Sequence, residues 1–319
     1  MGRFDLIDPR HKILRFPDEI TTLKQAGIPA VLNVEMDLSE SCNARCAGCD
    51  FPDHYDGFLS PSVEQAAIHR LKLWGTKAVV FTGGGEPTVH PQWQESANRW
   101  SKDFQLGMYT NGIKLDLSPC DKAFKWVYVS LDAYDAESWA KYKRVSPDLF
   151  HKVLANIEAA TYYTTVGVGF LIGEDNYRDV QKMAIAGLAT GCSYVHFRPR
   201  WPCDDSWWAA EARVLLHGAE NMPFVRVAWD KFEAAWKKPW RRSYTTCWAS
   251  MFLRQVDVKG DVYACPTTRW LRKLGNVVDC PPLTRPLPVT LSCREMCRGH
   301  AMNETLDSIM AVGPHDFFV

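Results

Sequence analysis

The stretch SESCNARCAGCDFPD, residues 39 to 53, contains three cysteines and no histidine. Cys42, Cys46 and Cys49 follow the spacing C-x3-C-x2-C, which differs from the paired C-x2-C arrangement of structural zinc sites. Three thiolates on one short loop suit an iron–sulfur cube, which normally takes four cysteines. A cube held by three thiolates keeps an open coordination position, as catalytic metal sites do. The alternatives for this spacing are a zinc knuckle and a loop with free thiols.

This loop directly follows the first of six predicted β-strands. Short β-branched runs alternate with helical patterns, and we predict strands at 32–38, 77–82, 105–109, 126–131, 166–172 and 194–198. One intervening helix is predicted to begin at Ser60 and Pro61, a capping serine before a proline at the first helical position. Strands that alternate with helices predict a parallel sheet with right-handed crossovers. Six units are too few to close an eight-stranded barrel, so the predicted fold is α/β, a partial (β/α)6 TIM barrel.

The alternation of predicted strands and helices ends at about residue 215. Beyond it the predicted segments are shorter, prolines cluster and cysteines occur again. A chain of 319 residues suits one large domain plus a smaller one. We therefore expect an N-terminal extension at 1–30, the partial barrel at 31–220 and a small cysteine-rich domain at 221–319. The expected boundary lies between 215 and 245.

Composition narrows the functional classes. Basic and acidic residues number 37 each, so no overall charge attracts nucleic acid or an anionic membrane. The longest apolar runs are too short to cross a bilayer, and the N-terminus lacks a signal-peptide pattern. Eleven cysteines are an odd number for a disulfide framework, and in a reducing compartment they favour metal ligands or catalytic thiols. We expect a cytoplasmic protein with no membrane partner.

A glycine-rich segment, FTGGGEPTVHP at 81–91, ends the second predicted strand. Gly84 and Gly85 permit close approach of the backbone to a ligand, and the carboxylate of Glu86 can bind a cation. A phosphate-binding P-loop is the alternative, but no Gly-Lys-Ser/Thr follows.

The C-x3-C-x2-C loop followed by Gly84-Gly85-Glu86-Pro87 resembles the radical S-adenosylmethionine (SAM) superfamily. The resemblance implies that Cys42, Cys46 and Cys49 hold a [4Fe–4S] cluster whose fourth iron binds the amino and carboxylate groups of SAM. An electron from the cluster then cleaves SAM to a 5′-deoxyadenosyl radical, which abstracts hydrogen from a C–H bond. One departure is Gly48, because many members have an aromatic residue before the third cysteine.

The resemblance also implies which residues contact SAM. Gly84, Gly85 and Glu86 correspond to the segment that receives the methionine ammonium. Asn111 and Ser130, at the ends of the third and fourth predicted strands, match segments that contact the ribose and methionine; ordinary turn and capping chemistry is the alternative.

A second group of cysteines begins with Cys247-x12-Gly260-x4-Cys265. The sequence between them alternates around a turn at Gly260, which predicts a β-hairpin that brings the two thiols together. This spacing resembles the opening of the SPASM and twitch domains of radical SAM enzymes. That resemblance implies one auxiliary [4Fe–4S] cluster, held by Cys247, Cys265, Cys293 and Cys297. A zinc ribbon at the same positions is the alternative.

Two residues are candidates for catalysis. Cys280 lies among the auxiliary cysteines and is a spare thiol, an alternative ligand or a hydrogen donor. Arg198 ends the sixth predicted strand, where it would meet a carboxylate in the barrel or, as the more common case, form a structural salt bridge. The remaining cysteines, Cys120, Cys192 and Cys203, are expected to be small buried residues.

The resemblance implies an oxidoreductase or isomerase that acts on an unactivated C–H bond of a small metabolite, with an electron donor such as flavodoxin or ferredoxin. One alternative is an isomerase of a nucleotide or hypermodified nucleic-acid base, because tryptophans stand beside cations at 198–201, 236–242 and 269–270. A ribosomally made peptide is a third substrate class. The alternative of another class is a zinc-binding interaction module without catalysis.

Overall fold

The computed structural model describes residues 12–49, 51, 57–200, 207–236, 242–269, 271–291, 293 and 297–311. Within these ranges the strands are β1 (Asn33–Asp37), β2 (Ala78–Thr82), β3 (Gln105–Thr110), β4 (Phe124–Ser130), β5 (Thr165–Ile172), β6 (Tyr194–Pro199), β7 (Val225–Val227), β8 (Thr246–Cys247), β9 (Leu253–Val256), β10 (Asp261–Tyr263), β11 (Lys273–Asn276) and β12 (Leu287–Pro288). The α-helices are α1 (Pro17–Lys24), α2 (Pro61–Leu73), α3 (Trp93–Trp100), α4 (Ala136–Lys143), α5 (Leu149–Thr161), α6 (Val180–Ala189), α7 (Ala209–Glu220), α8 (Trp229–Trp236) and α9 (His300–Ala311).

In the described part of the chain the main sheet has ten strands, in the order β11-β10-β9-β1-β2-β3-β4-β5-β6-β7. Strands β1 to β7 run parallel to one another. α-Helices connect successive strands except β3 and β4, between which there is only a short 3-10 helix, Ser118–Cys120. β1 to β6 are the six predicted strands, so the predicted α/β partial barrel is confirmed. Helix α2 begins as predicted, because the Ser60 side chain accepts a hydrogen bond from the Val63 amide at 3.3 Å.

The sheet continues into the C-terminal part of the chain. The predicted hairpin is present as antiparallel β9 and β10, with Gly260 at a positive φ of 80° in the turn. β9 pairs in parallel with β1, so the hairpin extends the barrel sheet beyond its first strand. β7, which the sequence analysis did not predict, adds a parallel strand beside β6 at the other edge. The domain division at 220 and 221 stays a prediction.

The strands bury one face against the helices. Val34 and Met36 of β1, and Val195 and Phe197 of β6, belong to the main hydrophobic core. Because side chains alternate along a strand, the other residues face the opposite side of the sheet, which we call the inner face. It carries polar and aromatic side chains, namely Glu35, Tyr109, Tyr128, Tyr194, His196 and Arg198.

Glycines make room for large side chains on the inner face. A Cβ atom at Gly169 of β5 would lie 1.9 Å from the Tyr128 hydroxyl, and one at Gly167 would lie 2.2 Å from the Tyr194 ring. Neither distance is possible, so the bare β5 backbone is what lets the aromatic side chains of β4 and β6 lie across it.

A smaller core joins the two ends of the described chain. Ile20 and Leu23 of α1 pack with Phe252 and with Leu306 of α9. Among the described residues, none of the helices combines the length and the hydrophobicity that a membrane span requires.

Candidate functional site

The first three cysteines lie on the loop that follows β1, at the carboxyl end of the parallel strands. Active sites of barrels are found at this end. Cys42, Cys46 and Cys49 are all half-buried. The Ala44 amide donates to Cys42 Sγ at 3.4 Å, and the Phe51 amide donates to Cys49 Sγ at 3.4 Å. Amide donors of this kind stabilise thiolates, so these hydrogen bonds favour the ionised form of Cys42 and Cys49.

The chemistry of these thiols fits a metal cluster. Burial raises the pKa of Cys42 to about 11, so a bound metal is what would hold this thiol as a thiolate at neutral pH. Among the described residues, no three His, Cys, Asp or Glu side chains are arranged to hold a single metal ion. In an iron–sulfur cube each cysteine ligates a different iron, so the thiols need not converge on one point.

The glycine segment docks directly onto the cysteine loop. The Gly85 amide donates to the Ser39 carbonyl at 3.0 Å, and the Glu86 amide donates to the Ser41 carbonyl at 2.9 Å. A Cβ atom at Gly85 would lie 2.1 Å from the Ser41 carbonyl oxygen. Only glycine permits this contact, and the two predicted SAM-binding segments therefore form one unit.

The Glu86 carboxylate ties the ends of β2 and β3 together. It is buried, and its oxygens accept hydrogen bonds from the Thr88 amide at 3.1 Å, the Thr110 hydroxyl at 2.6 Å and the Asn111 amide at 2.7 Å. Burial raises the pKa of Glu86, and these donors oppose that rise. Glu86 thus fixes the loop geometry; its predicted contact with the SAM ammonium stays a prediction.

Asn111 and Ser130 lie where the sequence analysis expected them, at strand ends. The side-chain Nδ2 of Asn111 donates to Asn43 Oδ1 at 2.7 Å and lies 3.9 Å from Cys42 Sγ, so Asn111 contacts the cysteine loop. Ser130 is the last residue of β4, half-buried, and is paired in register with Gly169.

Lys143, which the sequence did not single out, lies beside the cysteine loop. Lys143, at the end of α4, forms a fully buried ion pair with Asp132 at 2.6 Å. Burial alone would lower the pKa of Lys143, but the Asp132 carboxylate outweighs it and raises that pKa. The backbone of α4 also holds the cysteine loop, because the Arg45 amide donates to the Lys143 carbonyl at 2.9 Å. Trp139, fully buried four residues earlier, is the sequence signal that places Lys143 on the buried side of the helix.

The positive charge of Lys143 lies close enough to Cys46, a predicted cluster ligand, to affect its pKa. Burial raises the pKa of Cys46, while the nearby ammonium of Lys143 lowers it. A buried cation beside this cysteine favours the thiolate form and partly offsets the negative charge of a cluster.

A second buried ion pair joins the C-terminal part of the chain to this site. The Arg269 guanidinium contacts the Asp37 carboxylate at the end of β1 and lies 3.7 Å from Glu40. A Cβ atom at Gly84 would lie 3.0 Å from Arg269 Nη2, so the guanidinium packs against the glycine segment. Burial raises the pKa of Asp37, and Arg269 opposes that rise.

This contact excludes Arg269 from the predicted surface for bases at 269–270. The Arg269 side chain is only 2% exposed and is committed to Asp37. Trp236 is likewise packed against Trp208 and Phe232 rather than presented to a ligand. Trp201, residues 237–241 and Trp270 lie outside the described residues, as does Cys203.

The structure brings the second group of cysteines together. A cavity of about 60 Å³ is lined by Cys247, Cys265, Cys293 and Cys297. Hydrogen-bond donors accompany three of them, namely Asn303 Nδ2 at 3.8 Å from Cys247 Sγ, Thr267 Oγ1 at 3.1 Å from Cys265 Sγ and the Thr290 amide at 3.4 Å from Cys293 Sγ. Burial, with the charge of Cys297, raises the pKa of Cys247 to about 11, as expected for a thiol that needs a metal to ionise.

The same cavity reaches the barrel. Glu35 and Asn33 of β1 also line it, as does Arg298, which follows Cys297. Arg298 Nη1 pairs with Glu35 Oε1 at 2.5 Å, and its guanidinium lies over the Tyr109 ring at 5.6 Å. The four cysteines therefore border the inner face of the sheet.

The two candidates for catalysis differ in position. Cys280 is buried in the main core, with its Sγ atom 3.5 Å from the Pro281 carbonyl oxygen, and does not line the cysteine cavity. This position gives no support to a catalytic or ligand role. Arg198 lies on the inner face at the end of β6, with its guanidinium 5.0 Å from the centre of the Tyr128 ring.

Comparison with known proteins agrees with this geometry. Residues 36–185, which span the cysteine loop and the strands β2 to β5, match the radical SAM superfamily. This part of the chain is therefore a radical SAM domain, and the predicted resemblance is confirmed for it. The match supports a SAM site and one [4Fe–4S] cluster, and the superfamily is one of enzymes.

One curated relative is a tungsten-containing aldehyde ferredoxin oxidoreductase cofactor-modifying protein from Pyrococcus furiosus. It is 25% identical over 169 residues, which cover 47% of this chain and 46% of the relative. The chain thus matches a little under half of that protein's length.

Two solved structures share the fold. Streptococcus suis SuiB bound to S-adenosylmethionine has a TM-score of 0.60 at 15% identity, over 84% of this chain and 68% of SuiB. Native anSMEcpe with bound AdoMet and Cp18Cys peptide has a TM-score of 0.58 at 18% identity, over 89% of this chain and 84% of that chain. At these identities the likeness concerns the fold alone.

Proposed function

We propose that this protein is a radical SAM enzyme that abstracts hydrogen from an unactivated C–H bond of a small metabolite, for oxidation or rearrangement. The observation that carries the proposal is the docking of Gly85 and Glu86 onto Ser39 and Ser41. It joins the glycine segment to the loop of three cysteines at the carboxyl end of the strands, where barrel enzymes act.

The residues have separate tasks in this proposal. Cys42, Cys46 and Cys49 hold the [4Fe–4S] cluster and leave one iron open. Gly84, Gly85 and Glu86 receive the amino group of SAM, and Asn111 and Ser130 contact its ribose and methionine. When bound, the cluster and SAM supply a 5′-deoxyadenosyl radical.

A second [4Fe–4S] cluster belongs to the proposal. Cys247, Cys265, Cys293 and Cys297 line one cavity with nearby hydrogen-bond donors, which supports a four-cysteine site. The site borders Glu35 and Arg298, so it would lie next to a substrate on the inner face. An electron donor such as flavodoxin or ferredoxin would reduce the enzyme.

Modification of a peptide is the second candidate function. It is favoured by the structural likeness to anSMEcpe, which was solved with a bound peptide and covers 89% of this chain. A peptide substrate would leave a mass change on the peptide, whereas a metabolite substrate would not. Incubation with both classes, followed by mass spectrometry for deuterium transfer into 5′-deoxyadenosine, separates the two.

The test of the proposed function uses anaerobically purified protein. We expect brown protein that forms 5′-deoxyadenosine from SAM when reduced. The triple alanine variant of Cys42, Cys46 and Cys49 should keep about half the iron, in the second cluster, and form no 5′-deoxyadenosine. Cys120→Ala, at a buried cysteine far from either group in sequence, is the matched control and should keep all the iron. A colourless zinc protein, or 5′-deoxyadenosine from the triple variant, would overturn the proposal.

A further inference from the structure

We propose that the inner face binds a carboxylate group of the substrate at Arg198, together with Tyr128 and His196. This inference rests on the proposed function, because it names the chemical class of the substrate that the radical SAM site would act on. It assigns a binding site at the end of β6, beside the predicted SAM contacts.

Three buried polar atoms meet on this part of the inner face without a hydrogen-bond partner among the described residues. They are Tyr128 Oη, His196 Nε2 and Arg198 Nε. Tyr128 is 3% exposed and His196 is 6% exposed. Buried polar groups are normally hydrogen-bonded, so three unpaired ones on one surface indicate a ligand that satisfies them.

The three side chains are neighbours. The Arg198 guanidinium lies 5.0 Å from the centre of the Tyr128 ring. The Tyr128 and His196 rings meet edge to face with centroids 6.1 Å apart. His196 and Arg198 point the same way because they are two residues apart on one strand. All three side chains therefore lie on one patch of the inner face, on either side of β5.

Arg198 stands apart from the other arginines near the site. Arg200 pairs with Asp175 at 2.7 Å, Arg298 pairs with Glu35 and Arg269 pairs with Asp37. Arg198 has no ion pair within the part of the chain that the structure describes. The Arg198 side chain is half-buried and its Nε has no hydrogen-bond partner among the described residues, so this guanidinium is open to an anion supplied from outside.

The shape of the guanidinium favours a carboxylate. Burial lowers the pKa of His196, helped by the charges of Arg198 and Lys231, so the imidazole beside Arg198 is neutral. The planar fork of the Arg198 guanidinium matches a carboxylate, which it can bind with two parallel hydrogen bonds.

The position also fits the proposed chemistry. Tyr128 and Ser130 are two residues apart on β4 and so lie on the same face, with Ser130 nearer the carboxyl end. Ser130 is a predicted SAM contact. A substrate anchored by its carboxylate at Arg198 would therefore lie directly against bound SAM.

Calorimetric titration with matched pairs of small ligands tests the inference. The probes are acetate, benzoate and phenylacetate, each compared with its own amide. In the wild type we expect at least one carboxylate to bind about tenfold or more tighter than its amide, because a charge-assisted hydrogen bond is lost in the amide. Arg198→Gln should abolish that preference. Arg213→Gln, on the outer helix α7, is the matched control and should keep it.

Two results would overturn the inference: a wild type with no preference in any pair, or a preference that survives in Arg198→Gln. If Arg198→Gln fails to fold by circular dichroism, Arg198→Lys decides, because lysine keeps the charge but loses the two-pronged geometry and should weaken the preference severalfold. Formation of 5′-deoxyadenosine by the wild type without substrate reports on the proposed function separately. Its presence with no carboxylate preference would refute this inference alone.

Discussion

The guanidinium of Arg269 and the carboxylate of Asp37 form an ion pair that is almost fully shielded from water. Asp37 ends β1, the strand that leads into the cysteine loop, and Arg269 follows Cys265 of the second cysteine group. The same guanidinium packs on Gly84. One buried contact thus links the C-terminal part of the chain to both predicted SAM-binding segments.

Removal of this guanidinium should destabilise the protein. Arg269→Gln leaves the Asp37 carboxylate buried without its cation, and we expect a loss of about 3–5 kcal/mol of unfolding free energy. The double variant Arg269→Gln with Asp37→Asn removes both charges and should recover part of that loss. Anaerobic urea unfolding measures both. Equal stability of Arg269→Gln and the wild type would contradict the role of the pair.

Gly85 should tolerate no side chain. Gly85→Ala would place a methyl group 2.1 Å from the Ser41 carbonyl oxygen, so the glycine segment must move off the cysteine loop. We expect SAM-dependent formation of 5′-deoxyadenosine to fall at least about a hundredfold, as a displaced binding segment would cause. Gly218→Ala on α7, where the added methyl group is in ordinary contact with Gln181 at 3.5 Å, is the control and should leave the rate unchanged.

Lys143 should tune the first cluster. Lys143→Met removes a buried positive charge near Cys46, and the reduced, more negative cluster loses more stabilisation than the oxidised one. The midpoint potential of the first cluster should therefore become more negative in an anaerobic redox titration. Lys141→Met, at an exposed position of the same helix, is the control. An unchanged potential in Lys143→Met would show that this charge does not reach the cluster.

His196 should make stability depend on pH. Burial holds its folded-state pKa near 3, below the ordinary value of 6.5. The unfolded chain therefore takes up a proton below pH 6.5 while the folded chain does not, and stability falls as the pH falls towards 3. Relative to His196→Gln, the wild type should lose about 2 kcal/mol of unfolding free energy between pH 7 and pH 5.

Exposed His69 provides the control for this titration. His69→Gln should follow the wild type over the same pH range. If His196→Gln and the wild type lose stability equally between pH 7 and pH 5, His196 is not held neutral by the fold.

The main strands could be predicted because their β-branched runs are long and buried. β1 to β6 begin and end within two residues of the predicted bounds. β7 could not be predicted, because Val225–Val227 is only three residues long, which is too short for a periodic pattern. Its pairing with β6 stabilises it as a strand. The hairpin was predictable from the turn at Gly260, but its pairing with β1 is a long-range contact that no local pattern encodes.

The site was predictable where one short segment carries the chemistry. Spacing and composition alone identify the cysteine loop with Cys42, Cys46 and Cys49 and the Gly84–Glu86 segment. Lys143 and Arg269 do not, because their importance lies in partners distant in sequence and in burial that only packing decides. The packing role of the β5 glycines cannot be predicted from the local sequence, because the aromatic rings that need them lie on neighbouring strands.

The most direct measurement concerns the open coordination position of the first cluster, on the iron that no cysteine is expected to bind. Electron–nuclear double resonance on the reduced protein, with SAM labelled by 15N at its amino group and 17O at its carboxylate, reports whether these atoms bind iron. We expect hyperfine coupling from both labels in the wild type and its loss in the triple alanine variant of Cys42, Cys46 and Cys49. A cluster closed by a fourth side chain, with no coupling to either label, would contradict it.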